Sequence, residues 1–325
     1  MTDGMTVSAV SDSSTEACDT EPACVSVVIP CFKQGHFLHE AIESVLRQTY
    51  PYFEIIVVDD ASPDRTSQVA RQYPTVRYVR HEENRGLGAA RNTGIRRSTG
   101  QFLVFLDADD RLLPHHFETC LKAFRERPEL ALVCGDFRWF GDTGTWHRHT
   151  CSKDADQYAA LLRFGFITPP HSVMTRKDVL VALGGFKEES RFQGSEDRDC
   201  WLRVTKHYPI HCHHELIAEY RRHSAQMSQK WGLMLSSGVA AMREQWPYIK
   251  GNRVYEEAYR CGVRQYQEAC GPPLSWQMVR DAKQGRWHEA LKAFWILARL
   301  YPEGLQKLLR DKVERVLRGT SIPYA

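Results

Sequence analysis

The sequence predicts an α/β fold: a mostly parallel sheet flanked by helices, with a C-terminal helical extension. Three observations predict it. Short β-branched runs alternate with helix-period segments through residues 24–135, the pattern of βαβ units joined by right-handed crossovers. Two of the runs end abruptly in carboxylates, Asp59-Asp60 and Asp107 to Asp110. Residues 229–325 lose the strand pattern and read as helices.

The elements follow in order. Residues 1–23 are rich in Ser, Thr, Asp and Glu and lack an apolar core, so they read as a disordered tail and not as a signal peptide. Val25 to Ile29 is a β-branched run closed by Pro30, a buried strand with a stop. Phe37, Leu38, Ala41, Ile42, Val45 and Leu46 recur at helical spacing. Glu54 to Val58 is a second strand. Thr66 to Tyr73 is a short helix, and Val76 to Val79 a weaker third strand. Gly86 to Arg97 is a glycine-rich loop entering a helix. Gln101 to Leu106 is the fourth strand. Residues 136–165, with Trp139, Trp146, His147 and His149, suggest a hairpin or an acceptor-facing loop. Pro169 to Met174 enters a strand, Gly184-Gly185-Phe186 turns, and Gln193 to Arg203 puts Glu196, Asp197 and Asp199 at the start of a helix. This main unit spans residues 24–228, and the helical region 229–325.

Composition narrows the function. A chain of 325 residues with 42% hydrophobic and 26% charged residues is ordinary for a soluble globular protein. A net charge of +3 is too small to imply nucleic-acid binding. Ten cysteines without a Cys-x-x-Cys pair suggest reduced thiols in a cytoplasmic protein. No apolar run is long enough to span a bilayer.

In a parallel sheet both acidic strand ends fall on one edge, where open α/β sheets bind ligands. Clustered carboxylates repel one another unless a cation sits among them. Hard ions such as Mg²⁺ take carboxylate and phosphate oxygens, so the edge suits a metal–diphosphate site; a surface turn is the bland alternative. Gly86 and Gly88 begin a dinucleotide fingerprint, but Arg91 occupies its third position and the loop follows the third strand, so the fingerprint is rejected. Arg85 and Arg91 suit phosphate or nucleotide contacts. Glu196 and Asp197 suit either a helix N-terminus or a general base at a cleft. His211 to His214 alternate across a strand, so they do not converge on one ion. Trp287, Leu291, Phe294, Ala298 and Tyr301 form an apolar helical face that packs on the main unit or on a second subunit. After Pro302, Lys307, Arg310, Lys312, Arg315 and Arg318 decorate a last helix, which suits packing or an anionic membrane surface.

As an ordered set, these segments resemble the family 2 glycosyltransferases: Val27 to Phe32, Val57 to Ser62, Asn84-Arg85-Gly86 with Ala90 to Gly94, Leu106 to Asp110, Gly184-Gly185-Phe186, Glu196-Asp197 with Asp199, and Tyr220 to His223. The resemblance covers residues 24–228. It implies a GT-A, Rossmann-like fold and an inverting enzyme that uses a nucleotide-diphospho-sugar, a UDP-sugar in the first place, with Mg²⁺ or Mn²⁺ and a glycan or lipid-linked acceptor. Carried over by position, it places Pro30 and Phe32 in the base pocket, Asp60 on the base with Asp59 supporting it, and Arg85 and Arg91 near the nucleotide. Asp107 falls near ribose and metal, Asp109 on the metal, and His223 near metal or diphosphate. Asp197 becomes the general base and Glu196 orients the acceptor. Lys33 departs from the pattern, since many members carry Asn there. The alternatives are a nucleotidyltransferase, whose lysine-bearing loop Cys31 to Gly35 matches poorly, and a sugar-nucleotide-binding or membrane-scaffold protein without turnover.

Overall fold

The computed structural model describes residues 24–141, 146–148, 156–163, 165, 169–224, 226–306 and 310. The strands are β1 (Val25–Cys31), β2 (Phe53–Asp59), β3 (Val76–Arg80), β4 (Phe102–Phe105), β5 (Arg111–Leu112), β6 (Leu132–Gly141), β7 (Trp146–Arg148), β8 (Val173–Arg176) and β9 (Ile210–Arg222). The helices of the α/β part are α1 (Gly35–Leu46), α2 (Thr66–Ala70), α3 (Leu87–Arg97), α4 (His116–Glu126), α5 (Gln157–Arg163), α6 (Lys177–Ala182) and α7 (Glu196–His207). The helical extension holds α8 (Trp231–Glu244), α9 (Trp246–Ile249), α10 (Arg253–Lys283) and α11 (Trp287–Leu300).

One sheet runs in the order β3-β2-β1-β4-β8-β6-β9-β5, with β7 hairpinned on β6. The expected parallel half is β3-β2-β1-β4. The other half is mixed. β8 is antiparallel to β4 and β6, β5 is antiparallel to β9, and β6 pairs with β9 in parallel.

Strand β1 is buried along its whole length, as a central strand covered on both faces must be. Alternation sorts the neighbours: Val28, Ile56, Leu103 and Phe105 join one core with Ala90 and Ile95 of α3. Val27, Ile29, Val57 and Val104 join the other with Leu38, Ile42 and Val45 of α1. The first core continues through Leu161 and Trp201 into Met242, Ile249 and Ala258, so the helical extension packs behind α7. Ser195, just before α7, lies 3.0 Å from Ser237 of α8, hydroxyl to hydroxyl. A third cluster, with Leu235, Leu274 and Leu297, closes α8, α10 and α11 on one another.

One expectation changes. Of the face read as packing, Phe294, Ala298 and Tyr301 do pack on the third cluster, whereas Trp287 and Leu291 are exposed; Ala290, Ala293, Leu297 and Leu300 form the buried side. The helix is apolar around most of its circumference, so periodicity does not select the buried side. His149 and most of the basic stretch after Gln306 lie outside the described residues.

Candidate active site

The acidic strand tips meet at one cavity of about 580 Å³, lined by Pro30, Phe32, Asp60, Arg91, Asp107, Asp109, Glu196, Asp197 and His223, among others. It sits at the C-terminal ends of β1, β2 and β4, with the start of α7, Met227 and Met234 also on its wall.

The tip of β2 is fully partnered. Asp60 is buried; its Oδ1 accepts the Arg85 backbone N–H and its Oδ2 that of Gly86, both at 2.8 Å. His81 Nδ1 lies 2.7 Å from Oδ1. The carboxylate thus holds the glycine loop, whose Gly86 has φ +90°, a conformation costly for side chains with a Cβ. Asp59 lies outside the cavity wall, accepting from Ser62 N–H at 2.7 Å and from Tyr78 and Arg80 at 2.5 Å. It braces the tip. Arg85 reaches the site through its backbone, while its guanidinium pairs with Glu188 at the surface.

Arg91 lines the same cavity from α3, with its guanidinium shared between two carboxylates: Asp107 at 2.9 Å and Glu196 at 2.6 Å. Buried at 1% exposure, it ties the strand-tip acids to the first turn of α7. Burial would lower its pKa, but Asp107, Glu196 and Asp197 hold it above its ordinary value. Asn92 beside it grips the Gly185 turn: its amide donates to the Phe186 carbonyl and its Oδ1 accepts the Phe186 N–H, both at 2.8 Å.

At the tip of β4 the acids are crowded and short of donors. Burial, then Asp107, raises Asp109, while His223, 2.9 Å away, opposes this. Burial with Asp109 and Asp107 raises Asp110 well above its ordinary range. Arg221 restrains the turn, giving its backbone N–H to Asp110 at 2.7 Å and its guanidinium to the Asp109 carbonyl at 2.8 Å. Asp110 Oδ2 accepts no hydrogen bond from the described residues, and His171 Nδ1 stands 3.1 Å from it. Burial pushes His171 down to about 3, so it is neutral. One ligand atom each from Asp107, Asp110 and His171 falls within 4.8 Å of the others. Two carboxylates, a neutral imidazole and an unpartnered buried oxygen fit a divalent cation. His171 carries no signal in the sequence, since the fold alone brings it under the acidic turn.

Across the cavity, Glu196 Oε2 accepts the Gly194 N–H at 2.7 Å. Burial pushes Glu196 upward, Arg91 pulls it back and Asp197 adds to the rise. Asp197 accepts only the Arg198 N–H, at 2.7 Å, among the described residues; burial raises it, and Arg91 opposes the rise.

Residues 26–184 match the family described as Glycosyl transferase family 2. Residues 26–184 form a family 2 glycosyltransferase domain. The chain is 28% identical over 211 residues to an uncharacterized glycosyltransferase of Rickettsia prowazekii, covering 62% of this chain and 65% of that protein. It is 36% identical over 127 residues to the uncharacterized glycosyltransferase EpsJ of Bacillus subtilis, covering 38% and 36%. The matched region spans about one third to two thirds of the length of the curated relatives. The fold is shared with S. aureus TarS 1-349 in complex with UDP-GlcNAc: TM-score 0.54, 17% identity, 86% of this chain and 92% of that one. It is also shared with the mannosyltransferase PcManGT from Pyrobaculum calidifontis in complex with GDP-Man and Mn²⁺: TM-score 0.52, 18% identity, 89% and 87% coverage. The fold is the GT-A architecture that the resemblance implies.

Proposed function

We propose that this glycosyltransferase moves a sugar from a nucleotide-diphospho-sugar to an acceptor hydroxyl by one inverting displacement. The observation that carries the proposal is the Arg91 bridge, which fixes the β4 acids and the Glu196-Asp197 turn across a single cavity.

Phe32, 39% exposed at the end of β1, offers a ring face to the nucleobase beside Pro30, and the loop held by Asp60 shapes the pocket edge. UDP and GDP donors in the structural neighbours support this class of ligand; we assign a UDP-sugar here. Asp107 and Asp109, with His223 beside them, or Asp107 with Asp110 and His171, would hold Mg²⁺ or Mn²⁺. A bound cation supplies neutralisation of charge on the leaving diphosphate. Asp197 takes the proton from the acceptor hydroxyl as that oxygen bonds to the anomeric carbon. The bond from that carbon to the diphosphate oxygen breaks, its electron pair leaving with the nucleoside diphosphate. The raised affinity of Asp197 for a proton makes it a stronger base than an exposed aspartate. Glu196, fixed by Arg91 and Gly194, orients the acceptor. The acceptor is a glycan or a lipid-linked sugar, and residues 24–228 supply the side chains assigned to donor, cation and proton transfer.

Nucleoside diphosphate release and NMR of the product anomer test this. Wild type yields an inverted product, while Asp197→Asn keeps donor binding and loses transfer. Unchanged turnover in Asp197→Asn removes it as the base, and a retained anomeric configuration overturns the single displacement.

A further inference from the structure

Glycosyl transfer leaves one surface of the helical extension without a role. Trp287, Leu291 and Trp295 of α11 stand 64%, 56% and 68% exposed. Four-residue spacing puts them on one stripe. Beside the stripe a groove of about 830 Å³ lies between α8 and α11. Trp295 and Ile296 line it from α11, Ala240 lines it from α8, and Arg191, Arg243 and Arg299 complete it. Arg191 pairs with Glu244 at 3.1 Å. Arg243 and Arg299 form no ion pair among the described residues.

We propose that this face docks the protein on an anionic phospholipid bilayer. Indole rings settle at the boundary between headgroups and acyl chains, where an apolar body and a polar N–H are both accommodated. Guanidinium forks match phosphodiester oxygens. Charge complementarity selects this occupant. A wholly apolar partner would bury both guanidiniums unpaired, which is costly, whereas an anionic lipid surface serves stripe and groove together. Lys292, exposed on the same helix, pairs with Glu289 at 3.3 Å, so the positive charge of this face rests on Arg243 and Arg299. The face also neighbours the catalytic cavity. The turn Ser190–Phe192 carries Arg191 into the groove and runs directly into Gln193 and Gly194, which line the cavity.

Co-sedimentation of the full chain with vesicles tests this, comparing phosphatidylcholine alone with a mixture containing about one third phosphatidylglycerol. Wild type sediments with the mixed vesicles and not with phosphatidylcholine. Each arginine contributes about fivefold near an anionic surface, so Arg243→Gln with Arg299→Gln weakens binding about 25-fold. Trp287→Ser with Trp295→Ser weakens it more than tenfold, taking roughly one decade as the minimum for two interfacial rings. Circular dichroism and nucleoside diphosphate release stay at wild-type values in both variants, since neither touches the cavity. Wild-type sedimentation by the tryptophan variant overturns the proposal. So does equal binding to both vesicle types, or groove binding of inorganic phosphate without vesicle binding. A Trp295-dependent dimer that ignores vesicles assigns the face to a second copy instead.

Discussion

The tips of β2 and β4 carry similar acidic sequences and solve the same electrostatic problem in opposite ways. Asp59 and Asp60 are saturated with donors: backbone N–H groups, Tyr78, Arg80 and His81. Asp109 and Asp110 are buried together with too few donors, and both are pushed upward. A saturated carboxylate is a structural clamp, whereas a crowded, under-donated set is a place for a cation. Position on the sheet edge alone does not separate the two; the donors reaching each oxygen do.

The largest expected effect falls where the crowded tip meets the chemistry. Asp197→Asn lowers turnover by roughly 10³-fold, in the range of general-base loss, with donor affinity retained in a titration of UDP. Asp109→Asn lowers kcat by about 10²-fold, as loss of one transition-state stabiliser does, and abolishes the rise in Tm that Mn²⁺ gives wild type.

Breaking the bridge between the two halves acts on stability. Arg91→Met leaves Asp107 and Glu196 without their shared cation and destabilises by about 3–5 kcal/mol, measured by denaturant unfolding. At the saturated tip, Asp60→Asn costs about 2 kcal/mol through weakened bonds to Arg85 and Gly86. It raises the donor KM while the dependence on Mn²⁺ stays unchanged. A loss of cation dependence in Asp60→Asn would erase the contrast between the tips.

The pH profile sharpens it. Asp197 must be ionised to accept a proton, and burial holds its pKa above the ordinary aspartate range. The acid limb of kcat/KM therefore lies above that of an exposed aspartate, and activity falls as pH drops through it. The smallest effect is at Lys33, which holds φ +59° at the cavity rim. Lys33→Asn eases that conformation and raises stability by up to about 1 kcal/mol, read as a small increase in Tm.

Much of this was legible in the sequence. The β-branched runs ending in Asp59-Asp60 and Asp107 placed both tips on one edge, and Glu196-Asp197 lay at a helix start as read. The partners were not legible. His171 reaches Asp110 only because β8 inserts antiparallel between β4 and β6, and no local pattern encodes that insertion. The division of labour between the tips was hidden too, since it depends on His81, Tyr78 and Arg80 arriving from β3 and the loop that follows. On α11 an apolar circumference concealed which side packs, so Trp287 and Leu291 proved exposed.

Calorimetric titration of Mn²⁺ in the presence of UDP tests the central claim most directly, comparing wild type with Asp109→Asn, Asp110→Asn and Asp60→Asn. One cation binds to wild type and to Asp60→Asn, and its affinity drops at least tenfold in the two β4 variants, a loss of about 1.4 kcal/mol. Equal affinity in all four proteins would contradict the assignment of the crowded tip to a cation.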